Sequence, residues 1–271
     1  MLEASRQWRR DGLGIGLVPT MGALHAGHLS LIEEARRENS RVVVSLFVNP
    51  IQFGPGEDFS RYPRDSAKDA ELLAQVGITA VYQPAVEVMY PPGSSTRVHV
   101  SGVSDLLEGA ARPGHFEGVA TVVSKLFIAV EPDQAYFGQK DAQQAAVVKR
   151  LARDLDFPVT IRVCPTMREA DGLALSSRNA YLSPKERNAS VCLSSALRLA
   201  ADAYANGERR PDQLRNALRA RIDAESLARV EYAEVVDPET FATPGSLAVV
   251  AVRIGRTRLI DNHDLSERFP G

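Results

Sequence analysis

Two histidines, His25 and His28, bracket Gly27 in VPTMGALHAGHLSLIEEARR (residues 18–37), where an apolar run gives way to an amphipathic one. A hydrophobic core has no use for either imidazole. A metal, a phosphate chain or a proton transfer could use both. The spacing puts the rings at the mouth of a helix, where unpaired backbone N–H groups and the helix dipole favour an anion. Ring N–H donors there suit a polyphosphate whose charge grows as a bond breaks. Zinc is the weaker reading, because no third Cys, His or carboxylate stands at supporting spacing. The plainer alternative is that one histidine caps the helix and the other faces solvent; Gly22, Gly27 and the strand-turn-helix context weigh against it.

Three more clusters carry chemistry. Asn49-Pro50-Ile51-Gln52-Phe53 follows an apolar strand, where open α/β sheets bind ligands, and its two amides could hold a hydroxy acid without adding charge. A polar turn explains the same residues. Gly138-Gln139-Lys140-Asp141 also follows a strand and opens a helix; Lys140 could meet a phosphate, and Asp141 could cap the helix or meet a ribose or amine. Leu175-Ser176-Ser177-Arg178-Asn179 offers two hydroxyls and a guanidinium as a phosphate clamp, or is a hydrophilic linker. Arg112-Pro113-Gly114-His115-Phe116 could reach a carboxylate or simply turn into a helix. His99 and His263 read as structural or exposed. Asp65 and Asp69 share a helical face, which could support Mg²⁺ through water but reads first as solvated surface.

These residues need a scaffold, and the periodicity supplies one. Strands are expected at Gly14–Pro19, Val42–Val48, Thr79–Tyr82, Ala135–Phe137 and Val159–Val163. Between and around them fall helices at Leu2–Arg10, His28–Glu38, Asp65–Val76, Val119–Val130 and Asp141–Leu155. Such alternation implies an α/β fold, a Rossmann-like doubly wound parallel sheet, over residues 1–165. After residue 165 the pattern changes. Residues 166–181 are polar and without period, and Ser183-Pro184-Lys185-Glu186 reads as a capping box opening a helix that runs to about Asn206. A helix at Asp212–Ala224 and strands at Val230–Val236, Leu247–Ile254 and Arg258–Ile260 complete a smaller C-terminal α+β domain over 166–271.

Composition removes whole classes of function. A net charge of -2 gives no electrostatic case for nucleic-acid binding. No run of 18 apolar residues is present, so no membrane span is expected. Two cysteines, Cys164 and Cys192, far apart and without CxxC spacing, point to a reduced, cytoplasmic protein. No GxSxG or Cys–His arrangement suggests a covalent nucleophile.

A resemblance enters at this point. HAGH resembles the HxGH motif of the nucleotidyltransferase superfamily, and PTMGALHAGHLSLI, SLFVNPIQFGPGEDFSRYPRD, AYFGQKDAQQ and PTMREADGLALSSRNAYL, in that order, resemble the pantothenate synthetase (pantoate–β-alanine ligase) family. The likeness runs over most of the chain from about Gly14. It implies a ligase that condenses pantoate with β-alanine through a pantoyl-adenylate, using ATP with Mg²⁺ and releasing AMP and pyrophosphate. It implies ATP contacts at Pro19, Thr20, Met21, Gly22, His25, Gly27, His28, Gly138, Lys140, Asp141, Met167, Leu175, Ser176, Ser177 and Arg178. It implies pantoate and β-alanine contacts at Met21, Asn49, Gln52 and Gln144. The catalytic set would be His25, His28, Lys140, Ser176, Ser177 and Arg178, with 166–181 as hinge and ATP clamp, the C-terminal domain as a lid, and a homodimer as the assembly. Whether His28 moves a proton or only stabilises charge stays open. Against the family's pattern, any longer N-terminal segment is expected to be missing. An AMP- or CMP-transferring enzyme would share the HxGH turn; a nucleotide sensor would bind ATP without releasing pyrophosphate; an RNA-reading synthetase relative would need a basic surface.

Overall fold

A computed structural model describes residues 1–57 and 59–270. Asp58, inside the second motif block, and Gly271, the end of the expected C-terminal domain, lie outside the described residues. The chain divides into two compact units, Met1–Gly138 with Gln144–Cys164, and Gln139–Gln143 with Pro165–Gly271. The short Gln139–Gln143 segment, expected with the N-terminal domain, groups with the second unit.

In the first unit α1 (Leu2–Arg10) precedes β1 (Ile15–Thr20), α2 (Ala26–Glu38), β2 (Arg41–Leu46), α3 (Ser66–Val76), β3 (Ala80–Tyr82), the short α4 (Val86–Met89) and α5 (Glu108–Ala111), α6 (His115–Val130), β4 (Gln134–Gly138), α7 (Ala142–Asp154) and β5 (Thr160–Cys164). The strands form one parallel sheet in the order β3-β2-β1-β4-β5. The order reverses between β1 and β4, the topological switch point where such sheets bind ligands at their C-terminal edge. β1 and β2 are apolar nearly throughout because both sheet faces are covered. Val18, Val42, Val44 and Leu46 pack with Leu31, Ile32 and Ala35 of α2 and Leu73 of α3. Leu17 and Val43, fully buried, alternate to the opposite face.

Several helices start a residue or more away from expectation. α6 begins at His115 rather than Val119, its N-cap being Gly114 at φ 82°. α7 begins at Ala142, because Gln139–Asp141 forms a 3₁₀ turn of its own.

The second unit holds α8 (Pro184–Ser190), α9 (Cys192–Ala205) and α10 (Pro211–Asp223) with the antiparallel sheet β6-β7-β8 (Ala228–Val236, Leu247–Ile254, Thr257–Asp264). Leu193, Leu197, Leu214, Leu218, Ile222, Val250 and Val252 are among the residues of its core. The capping box at Ser183 and Glu186 is present, but the single helix expected from it is two. Ser190 and Ser194 turn their hydroxyls back onto the Arg187 and Val191 carbonyls (2.6 and 3.1 Å), and the ladder breaks at Val191. β8 runs four residues past Ile260, to Asp264, because the buried polar residues Asp261, Asn262 and His263 all find partners.

Candidate active site

The chain leaves β1 through a tight turn. Thr20 Oγ1 donates to the Ser45 carbonyl (2.8 Å) and accepts from the Gly22 N–H (3.2 Å). Gly22 (φ 81°) and Ala23 (φ 51°) then carry the backbone through two left-handed residues. That conformation aims the Ala23 and Leu24 N–H groups at the carboxylate of Asp69, at 2.9 and 2.8 Å.

Next comes the helix start. His25 is the N-cap of α2, and its Nδ1 accepts from the Gly27 N–H at 3.1 Å. His28, at the third helical position, accepts from the His25 N–H through its own Nδ1 at 3.4 Å. This is a reciprocal capping box, a motif usually built from Ser or Thr and Glu or Gln, made here from two histidines. The either-or in which one ring caps and the other faces solvent does not hold: both cap. The rings lie 4.1 Å apart, tilted by 38°. An Nδ1 that accepts carries no proton, so in the neutral rings the proton sits on Nε2. Two Nε2–H donors are thereby fixed at the N-terminus of α2.

Beside them the 3₁₀ turn Pro50–Gln52 presents Gln52, 7 % exposed, whose Nε2 contacts the sulfur of Met21 at 3.0 Å. Asn49 sits behind it. Its Nδ2 donates to Gln52 Oε1 and to the Gly118 carbonyl, both at 3.0 Å, and its Oδ1 accepts from the Tyr90 hydroxyl at 2.8 Å. Burial pushes the Tyr90 phenol far above its ordinary value, which keeps it the donor. Asn49, expected as a substrate contact, is 1 % exposed, with both amide hydrogens and one acceptor site of Oδ1 taken by the protein; one of these bonds holds the Gln52 amide. Gly118 is required where α6 passes this turn, for a Cβ there would lie 2.5 Å from Gln52 Cα and 2.6 Å from the Ile51 carbonyl oxygen.

A second support reaches Gln52 from the first residue of α6. His115, buried, donates from Nδ1 to the Gln52 carbonyl (2.9 Å), since a carbonyl can only accept. Its Nε2 then accepts from the Arg112 guanidinium (3.1 Å). Arg112 also grips Glu57 at both oxygens, at 2.7 and 2.8 Å. Burial and then the Arg112 charge hold the His115 pKa down, from 6.5 to about 4, so the ring is neutral. Burial alone would raise Glu57, but the paired Arg112 outweighs it and leaves the carboxyl below its usual range. Arg112, considered as a carboxylate contact for the substrate, is thus taken by Glu57.

The other half of the candidate set lies in the second unit. Lys140 sits in the Gln139–Asp141 turn, 3.6 Å from Asp141 Oδ1. That turn is clamped by Asn262 of β8, whose Nδ2 donates to the Gln139 and Lys140 carbonyls (both 2.9 Å) and whose Oδ1 accepts from Gln139 Nε2 (3.0 Å). Residues 167–175 fold back as a small hairpin, with Leu175 N–H on the Met167 carbonyl (2.9 Å) and a bridge between Arg168 and Ala174. The Met167 carbonyl is therefore partly committed. Arg168, nearly buried, makes a two-point pair with Asp261 (2.7 and 3.1 Å). Arg187 holds Asp171 and Glu169, and this pairing lowers the Asp171 carboxyl. Ser176 caps the 3₁₀ helix Ser177–Tyr181 by accepting the Arg178 N–H at 3.3 Å, which puts Leu175, Ser176, Ser177 and Arg178 at its mouth.

Gly138 ends β4, and Gln144 lies in the first turn of α7 within the first unit. His263 is structural, bonded to the Glu267 carbonyl (3.0 Å) and packed on Phe269; His99 is exposed beside Asp105. Among the described residues no group of three or more His, Cys, Asp or Glu could hold a metal. The reading of Asp69 as solvated surface is overturned. It is 4 % exposed and both of its oxygens accept backbone N–H groups. The sequence held a signal for this, because Asp69 stands in the apolar stripe of α3 with Leu72, Leu73 and Val76.

Known proteins share this sequence and fold at length. A family profile described as Pantoate-beta-alanine ligase matches residues 1–264. A pantothenate synthetase of Moorella thermoacetica is 54% identical over 259 residues, covering 94% of this chain and 92% of the relative. One from a Roseiflexus species is 56% identical over 252 residues, covering 91% of each. The crystal structure of pantothenate synthetase from Thermus thermophilus superposes with a TM-score of 0.90 at 50% identity, covering 93% of both chains. The pantoate-beta-alanine ligase of Francisella tularensis, solved in complex with beta-gamma ATP and β-alanine, gives 0.82 at 34% identity, covering 98% of this chain and 96% of that one.

Proposed function

The chain belongs to the pantoate-beta-alanine ligase family, and from that premise we propose how its residues divide the reaction. The protein is a ligase that condenses pantoate with β-alanine to pantothenate, with ATP as co-substrate. A carboxylate does not react with an amine in water at a useful rate, so one carboxylate oxygen must first become part of a leaving group. A pantoate oxygen attacks the α-phosphorus of ATP, and the bond to the bridging oxygen breaks to release pyrophosphate. The β-alanine nitrogen, as free amine, then attacks the acyl carbon; AMP departs with the former carboxylate oxygen and the nitrogen loses a proton.

Negative charge gathers on the departing phosphates, and the catalytic demand is for fixed donors aimed at it. His25 and His28 supply them from Nε2, and the α2 N-terminus adds its dipole. The observation that carries this assignment is the histidine capping box: with both Nδ1 atoms tied to the backbone, the rings act as oriented neutral donors. Charge stabilisation is thus the role assigned to His28. Protonating Nδ1 would set a donor against the backbone N–H it now accepts from. Lys140 and Arg178 add positive charge, Ser176 and Ser177 add hydroxyls, and Pro19, Thr20, Met21, Gly22, Gly27, Gly138, Asp141, Met167 and Leu175 line the nucleotide's path. Gln52, with Met21 and Gln144, takes pantoate and then β-alanine. Mg²⁺ would accompany ATP and offset charge on the phosphates. The second unit serves as the lid, with 166–181 as hinge and clamp. The working form is a homodimer of the cytoplasm. Val81, Val86 and Val88, exposed on and after the edge strand β3, give a second copy an apolar surface to cover, and the two buried, unpaired thiols suit a reducing compartment.

The test is pyrophosphate release with MgATP and pantoate, with and without β-alanine. A pantoate-dependent burst in the absence of amine, and AMP with pantothenate in its presence, are expected. Release indifferent to pantoate would refute the adenylate route. His28→Gln keeps a side-chain N–H donor on a different frame and is expected to slow the burst at least ~10-fold.

A further inference from the structure

We propose that Asp69 is a positioning residue for adenylation, its buried carboxylate holding the backbone turn that aims His25 and His28. The inference rests on the reading that those rings meet the ATP phosphates.

Four observations converge on one carboxylate. Its two oxygens divide their work, Oδ2 accepting from Ala23 N–H at 2.9 Å and Oδ1 from Leu24 N–H at 2.8 Å. Hydrogen bonds to an ionised acceptor are stronger than neutral ones, and burial strengthens them further. The turn they hold carries a conformational cost. Ala23 is a non-glycine residue at φ 51°, a conformation that L residues with a Cβ adopt at a cost. Next to it, Gly22 stands at φ 81°, and a Cβ there would lie 2.8 Å from Asp69 Oδ2. The carboxylate occupies the space a side chain would need, so Gly22 and Asp69 fit as a pair.

Asp69 itself is anchored. It lies in the first turn of α3, where the helix dipole favours an anion. Asp65 caps that helix by accepting the Lys68 N–H at 3.1 Å, and the Asp69 N–H reaches the Asp65 carbonyl at 2.9 Å. The path to the histidines is short, since Leu24, gripped at its N–H and buried in the core, is joined directly to His25. A shift of the carboxylate passes through one residue to the N-cap of α2. Displacements of that kind are costly where catalysis depends on fixed donors.

The experiment is single-turnover pyrophosphate release with MgATP and pantoate. Asp69→Asn keeps the shape but sets an NH₂ against a backbone N–H. The expected result is a loss of ~10-fold or more in that rate, with the single-turnover rate of β-alanine attack on adenylate already formed unchanged. Gly22→Ala, which keeps the carboxylate charge and crowds it, is expected to act in the same direction and serves should Asp69→Asn fail to fold. The separating measurement is a cycle with His25→Gln/His28→Gln. Once the rings are gone, Asp69→Asn should cost less than ~2-fold more, whereas a role in stability alone would multiply the losses. A full rate in Asp69→Asn beside an impaired histidine variant, or multiplied losses in the cycle, would overturn the proposal. An unimpaired histidine variant would overturn the reading beneath it, which is a distinguishable pattern.

Discussion

Acidification should weaken the pantoate-side turn through a single ring, His115. In the folded chain its Nδ1 donates to the Gln52 carbonyl and its Nε2 accepts from Arg112, an arrangement only the neutral ring can make. Its folded pKa is lowered to about 4 from an unfolded value of 6.5. Between those values the unfolded chain binds more protons, so stability falls as pH falls. The contribution is complete above the unfolded value, is reduced by about 2 kcal/mol near pH 5, and loses about 3 kcal/mol below the folded value. Glu57, whose pKa is also lowered, loses its contribution as pH falls towards its own folded value, below the range where His115 begins to act. The assay is equilibrium urea unfolding at about pH 7.5 and about pH 5, for the wild type and for His115→Gln, which cannot protonate in this range. The wild type should lose about 2 kcal/mol more than the variant over that interval. Equal losses in the two proteins would refute the reasoning, and so would a ring that proves protonated at pH 6 by NMR titration.

Three other outcomes follow from packing and pairing. Gly118→Ala drives a methyl group into the backbone of Ile51 and Gln52, and should cost about 2 kcal/mol or more while raising the KM for pantoate; unchanged thermal unfolding and unchanged KM would show that α6 yields freely. Asn262→Leu leaves the Gln139 and Lys140 carbonyls without their donor, at about 1–3 kcal/mol, and should lower kcat through Lys140; a variant less stable but fully active would separate the clamp from catalysis. Asp261→Asn removes the charge opposite a nearly buried Arg168, and about 3 kcal/mol of stability should go with it, as read by denaturant midpoint; a loss under 1 kcal/mol would mean that solvent reaches the pair.

The scaffold was legible because its signals are local. Continuous apolar runs marked β1 and β2, and the 3.6-residue stripe marked the body of α6. What escaped depends on partners distant in sequence. Asp69 meets Ala23 and Leu24 across some 45 residues, and no window along the chain brings them together. Asn49 reads from sequence only as an amide after a strand; its bonds to Gly118 and Tyr90, 69 and 41 residues away, could not be read there. β8 was cut short at Ile260 since Asp261, Asn262 and His263 end the apolar run, while in the fold they bond Arg168, the Gln139–Asp141 turn and Glu267. The helix break at Val191 was hidden for a different reason. Leu193, Ala196 and Leu197 keep a helical stripe on the far side, so hydrophobic periodicity passes over a fault made by serine hydroxyls.

The paired histidine cap has one more consequence, for measurement. The rings hold the backbone amides of His25 and Gly27 through Nδ1, so whatever engages their far edges also restrains the opening of the first turn of α2. Hydrogen exchange at those two amides becomes a gauge of what the rings are bound to, readable without turnover and without a label on any substrate. Slowed exchange on adding MgATP, set against the middle of α2 as an internal standard, would report occupancy of the helix mouth from the protein's own protons.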